Sequence, residues 1–204
     1  MNDPIQALIT LVIFIFSAVV HEVSHGLVAE KMGDDTARRA GRITLNPLPH
    51  IDPFGSILLP GLLLLTGSPI VLGAAKPVPV RFDFLKPRRL GMALVSLAGP
   101  LSNLVLAILL VIPIKLGLVN FISGPILMQA VIINIVLAIF NILPIPPLDG
   151  SKLVAAFLPY RIMNRVLQME RFGFIVIIIL LFTGLLDTIF VPVFSGFMKI
   201  FGLS

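Results

Sequence analysis

His21-Glu22-Val23-Ser24-His25 gathers two imidazoles and a carboxylate within five residues. On an α-helix His21 and His25 stand one turn apart along the axis and about 40° apart around it, so both rings can reach one metal ion. Glu22 falls roughly 60° from His25, too offset to share the ligand row but near enough to meet a water on the metal. The chemistry implied is hydrolysis: a metal polarises a carbonyl and acidifies water, and a carboxylate takes the proton. A catalytic zinc keeps three protein ligands and one open position, so a third ligand must come from elsewhere. The chain has no cysteine, which leaves His, Asp or Glu. His50, Asp52, Asp149 and Asp187 are the candidates beside apolar segments. Asp149 stands out because Pro144, Pro146 and Pro147 stiffen the turn before it, and Gly150 frees the backbone after it. Asp149 also suits the start of a short helix over 150–158, a structural duty compatible with ligation.

The helix that must carry the pair is apolar almost throughout. Residues 5–29 are nearly all Ile, Leu, Val, Phe and Ala until His21 interrupts them. Ionisable groups in hydrocarbon are costly, so their presence there marks a functional site. The whole chain, 204 residues with 57% hydrophobic and 12% charged content, excludes a soluble globular domain. A net charge of +5 is spread over loops beside apolar runs, the signature of membrane topology rather than of nucleic-acid binding. The first run lacks a basic leader and is expected to stay in the protein, because cleavage would remove the His pair.

The elements expected are a helix over 4–31 ended by Gly33, full spans over 90–114, 126–143 and 172–190, and a short helix after the proline turn. Residues 191–204 suit a short interfacial helix. Residues 41–45 read as a short strand, and 75–82, with Pro77 and Pro79, as an edge strand. Residues 56–72 are apolar but broken by Pro60, Gly61, Gly67 and Pro69. If that segment crossed, Asp149 would end on the face opposite the His pair, whereas a re-entrant course puts them together. It also collects Arg38, Arg39, Arg42, Lys76, Arg81, Lys86, Arg88, Arg89, Lys152, Arg161, Arg165 and Arg171 on one side, which the positive-inside rule assigns to the cytoplasm. The fold class expected is an all-α polytopic membrane protein: about five transmembrane helices, a re-entrant element and short membrane-associated β-strands, forming one domain over 1–204.

Three segments together resemble a known family. His21-Glu22-Val23-Ser24-His25-Gly26, Ala98-Gly99-Pro100-Leu101-Ser102-Asn103, and Asn141 through Gly150 are similar in order and separation to the motifs of the site-2 proteases, zinc-dependent intramembrane metalloproteases. The loop segments Gly41-Arg42-Ile43-Thr44-Leu45-Asn46-Pro47 and Ala75-Lys76-Pro77-Val78-Pro79-Val80 resemble those of compact prokaryotic members without PDZ or CBS domains. The resemblance implies one Zn2+ on His21, His25 and Asp149, with Glu22 as general base. It also implies multi-pass residence in a prokaryotic cell membrane, and substrates that are membrane proteins with a transmembrane helix.

Other readings of the same residues differ in what they require. A metal transporter needs several exchangeable sites along a path, but only three histidines exist and two are committed to one motif. A non-catalytic scaffold leaves the complete ligand-and-base set without a duty. His50, between Pro49 and Ile51, reads better as a loop histidine bonded to backbone than as a ligand. Asn103 and Asn141 are amides at membrane depth whose motif match raises a substrate-binding or oxyanion role beside simple interhelical bonding. Asn134 reads as packing. Gly99-Pro100 is expected to kink or start a helix and let it approach the His helix closely. A helical substrate must unwind before attack, and the strand at Val78 and Val80 is positioned to capture it by β-addition.

Overall fold

Apolar runs bounded by helix breakers set the architecture of the computed structural model, which describes residues 4–52, 58 and 75–203. Eight α-helices appear among these residues. They are α1 (Pro4–Lys31), α2 (Thr36–Arg39), α3 (Arg88–Lys115), α4 (Ser123–Ile142), α5 (Asp149–Phe157), α6 (Tyr160–Met169), α7 (Gly173–Phe182) and α8 (Leu185–Ile200). Helix α1 ends as its sequence implies, with Gly33 at φ 103°.

Three helices, α1, α3 and α4, are long and apolar enough to cross a membrane, at 28, 28 and 20 residues. At 1.5 Å per residue they reach roughly 30–42 Å, against a hydrocarbon core of about 30 Å. Their outward faces stay apolar, with Leu8, Val12 and Phe16 on α1 and Leu101, Val105, Ile108 and Leu109 on α3 all exposed. Lipid is the solvent that such a surface requires. Between helices many of the buried residues are small or polar, among them Ser17, Ala18 and Gly26 on α1, Ser96, Gly99, Asn103 and Ala107 on α3, and Ala130, Asn134 and Ala138 on α4. Where lipid is as apolar as leucine, close backbone approach and interhelical hydrogen bonds hold helices together.

Helix α3 runs antiparallel to α1 and α4, so the C-terminal end of α1, the N-terminal end of α3 and the turn after α4 share one end of the bundle. At that end Ala29, Leu85, Met92, Val95, Ala155, Ala156 and Met163 form one core, bringing α5 and α6 under the long helices. A second core, at the other end, joins Ala107 and Val111 of α3, Val131, Ile135 and Ile139 of α4, and Phe201.

Several expectations need correction. No strand forms among the described residues. Residues 41–45 are mostly turn and bend, and 75–81 form no regular element and no ladder. The two segments are tied by a side chain instead: the Arg42 guanidinium donates to the carbonyls of Lys76 (2.6 Å) and Pro77 (3.3 Å). Pro77 and Pro79 have no N–H to offer a ladder, which is the physical reason. Nor are there five spans among the described residues. The run expected over 172–190 is split into α7 and α8 by a turn at Gly184, whose φ of 68° a side-chain-bearing residue seldom adopts. Ten residues of α7 extend only about 15 Å, half a bilayer. The tail, expected to be interfacial, lies largely within α8, whose Phe190, Phe194 and Phe197 pack on the second core. The re-entrant element expected over 56–72 lies outside the described residues. On either side of it, the Lys76 N–H donates to the His50 carbonyl at 2.8 Å, so both flanks lie at the same end of the bundle.

Candidate metal centre

The i, i+4 spacing does place both imidazoles of α1 on one face, turned toward α3 and the start of α5. His21 and His25 lie about 15 Å and 9 Å along the helix from its Lys31 end. Asp149 opens α5, where its charge also faces the helix N-terminus favourably. All three residues are buried. The Nε2 atoms of His21 and His25 are 3.1 Å apart, and Asp149 Oδ2 lies 3.1 Å from the first and 3.0 Å from the second.

What the other ring nitrogens do decides the character of this triangle. His25 Nδ1 lies 2.6 Å from the Val95 carbonyl, an acceptor only, so Nδ1 carries the proton and donates. His21 Nδ1 lies 2.6 Å from Asn103 Oδ1 and likewise donates. Both Nε2 lone pairs and a carboxylate oxygen therefore converge with no donor between them, an arrangement that a cation satisfies. Tetrahedral zinc with bonds of ~2.0–2.1 Å spaces its ligand atoms by roughly 3.3 Å, so the triangle is within a few tenths of an ångström of what zinc requires. Among the described residues this is the one group of three such ligands.

Gly99 makes the approach possible. A Cβ there would sit 2.4 Å from His21 Nε2 and 2.5 Å from His25 Nε2. The glycine expected to permit close approach does so, although it and Pro100 lie inside α3 and not at its start. Gly150 is under similar pressure, since a Cβ would meet the Ile142 carbonyl oxygen at 2.1 Å.

A cavity of about 220 Å3 opens beside the triangle, lined by Glu22, His25 and Asp149 and by Val78, Val80 and Phe82. Glu22 is held there by the Val78 N–H, which donates to its Oε2 at 2.7 Å. Lys152 and Glu170 also line it. Sequence reasoning missed both, reading Lys152 as a topology determinant. Its signal was the i, i+3 offset from Asp149, and the ammonium stands 3.3 Å from Asp149 Oδ1. Glu170 has a buried Oε1 without a hydrogen-bond partner, and burial pushes its carboxyl above the ordinary range.

The remaining candidates fall elsewhere. Asn103 is fully buried, and its amide is spent on His21, on Asn134 (2.8 Å) and on the Ser17 carbonyl (3.2 Å). Asn141 donates to Leu137 of its own helix at 3.0 Å. His50 bonds the Thr44 carbonyl through Nε2 at 3.0 Å, the backbone role expected of it, and burial together with Arg42 holds its imidazole below the ordinary value. The Asp187 side chain lies outside what is described.

A buried His2Asp triangle, a carboxylate beside it and a bundle of apolar helices define an integral membrane metallohydrolase. The profile of peptidase family M50 matches residues 118–185, which include the Asp149 turn. The chain is 41% identical to YwhC of Bacillus subtilis, named as a zinc metalloprotease, over 95% of this chain and 89% of that one. It is 30% identical to Rip2 of Mycolicibacterium smegmatis, also named as a zinc metalloprotease, over 94% of this chain and 73% of that one. No solved structure matches. The chain belongs to peptidase family M50, the site-2 proteases. It is a zinc-dependent metalloendopeptidase and a multi-pass membrane protein.

Proposed function

We propose that the protein is an intramembrane endopeptidase that hydrolyses peptide bonds within or near the transmembrane segments of other membrane proteins. In this reading His21, His25 and Asp149 hold one zinc ion and Glu22 is the base. The observation that carries it is the convergence of two imidazole Nε2 atoms and a carboxylate oxygen within 3.1 Å of one another, the imidazoles on a helix long and apolar enough to cross a membrane, with Glu22 on the wall of the adjoining cavity. Bound zinc supplies Lewis acidity toward the scissile carbonyl and lowers the pKa of water toward ~7. Glu22 then takes the proton of the attacking water and delivers it to the leaving amine. The Val78 N–H fixes which oxygen of Glu22 stays free for that task.

Val80 and the carbonyls of residues 78–80 form the edge against which an unwound substrate lies. The amides of Lys76 and Val78 are already bonded to His50 and Glu22, so the substrate meets this edge mainly through its own N–H groups. Asn141, beside the ligand turn and with one amide hydrogen uncommitted, is the candidate for binding substrate main chain. Of the 15 Lys and Arg residues, all but Lys115 and Lys199 lie at the end of the bundle that holds the centre, which supports a cytoplasmic active site in a prokaryotic cell membrane.

The test is cleavage of a single-span membrane protein in liposomes by wild type and by Glu22→Gln, with bound zinc measured in both. The variant is expected to retain one zinc and lose cleavage by roughly 10²-fold or more. Equal cleavage by both proteins would remove Glu22 as base, and zinc flux without cleavage would indicate a transporter.

A further inference from the structure

Behind the ligands lies a set of buried polar side chains that takes no part in the cavity. We infer that Asn134 of α4 is a positioning residue for the zinc centre, acting through Asn103 to keep His21 in the tautomer that presents Nε2 to the metal. The inference rests on the reading of His21 as a ligand.

The network is anchored at two backbone carbonyls, those of Ala130 and Ser17. Asn134 Nδ2 donates to the Ala130 carbonyl and to Ser17 Oγ, each at 2.9 Å, so both amide hydrogens are committed and Oδ1 must face Asn103. Asn103 Nδ2 donates to that Oδ1 at 2.8 Å and to the Ser17 carbonyl at 3.2 Å, so its own Oδ1 must face His21. Neither amide can flip without setting its oxygen against a carbonyl of Ala130 or Ser17. The Asn103 oxygen then demands a donor, and His21 Nδ1–H supplies it at 2.6 Å. The chain of bonds thus transmits a fixed acceptor from the main chain of α4 and α1 to one imidazole. Asn103 and Asn134 are 0% and 1% exposed, so water does not compete for these bonds. Metal-bound histidines depend on such an acceptor at the distal nitrogen, and its loss typically costs ~10–100-fold in metal affinity. His25 needs no comparable device, because its acceptor is the Val95 carbonyl itself.

The experiment measures zinc affinity by competition with a chromophoric chelator, in detergent micelles, for wild type, Asn103→Leu, Asn134→Leu and the double variant. Asn103→Leu is expected to weaken zinc about 10–100-fold. Asn134→Leu is expected to weaken it roughly 3–10-fold, less than direct loss of the acceptor, and to have no further effect in the Asn103→Leu background. That non-additivity separates transmission through Asn103 from general loosening of the bundle, which would lower affinity in either background. Asn134→Asp keeps the volume and leaves at most one proton where the amide has two, so it provides the same test if the leucine variant does not fold. Wild-type affinity in a folded Asn134 variant overturns the inference, and so does an equal loss in both backgrounds. A His21→Ala protein that binds zinc as wild type does would instead overturn the ligand reading on which it rests.

Discussion

Gly99→Ala adds one carbon to the molecule and is expected to disable it. The new Cβ would lie 2.4 Å from His21 Nε2, 2.5 Å from His21 Cε1 and 2.5 Å from His25 Nε2, about 1 Å short of the 3.4 Å where ordinary contact begins. Ligand distances tolerate errors of only ~0.2 Å, so a displacement near 1 Å is several times what the site can absorb. Rotating the rings away breaks the bonds from Nδ1 to Asn103 and Val95, and moving α3 away breaks them as well. Zinc affinity is therefore expected to fall by at least ~100-fold, about 2.7 kcal/mol. The fold should survive, because overpacking costs about 1–3 kcal/mol and alanine returns up to ~1 kcal/mol of helix propensity over glycine. Circular dichroism in micelles should show wild-type helix content and a modest change in melting. Chelator competition and cleavage of the single-span test protein should show lost zinc and lost activity. A folded Gly99→Ala protein that binds one zinc with wild-type affinity would refute the claim that this backbone approach defines the centre.

Other perturbations separate the parts of the site. Asp149→Ala removes a ligand and is expected to lower zinc affinity by more than the ~10–100-fold typical of outer-shell changes, read by the same competition. Stripping the metal with a chelator should abolish cleavage while leaving the helical spectrum unchanged, and stoichiometric zinc should restore it. The reason is that the cores around Met92 and Ile135 do not involve the ligands. Val80→Asp places a charge on the proposed substrate edge and is expected to raise KM severalfold with zinc stoichiometry intact. An unchanged KM would take Val80 out of substrate binding.

The bounds of α1 and the pairing of His21 with His25 were legible because both depend on local periodicity and on breakers within a few residues. The cost of placing ionisable groups among apolar ones is equally local, so the first helix could be marked as a candidate site without a fold. Asp149 was singled out by the rigidity of its turn, a property of three prolines and one glycine. The strands expected at 41–45 and 75–82 failed because alternation describes a conformation and not a partner. Arg42 ties the two segments where two prolines cannot. The span expected over 172–190 failed because hydropathy records solvent preference and is blind to a left-handed turn at Gly184.

By itself, then, the order of residues pointed to a metal-dependent hydrolase and to the apolar helices that carry it. Tertiary structure alone decided which lone pairs meet. It fixed the tautomers of His21 and His25 through acceptors 82 and 70 residues away. It also turned Asn134 from packing into a link to Asn103, and brought Lys152 and Glu170 to the lining of the cavity. The physical reason is that spacing along a helix constrains direction over one or two turns. Hydrogen-bond complementarity between helices depends on register and crossing, which arise only when α1, α3 and α4 pack.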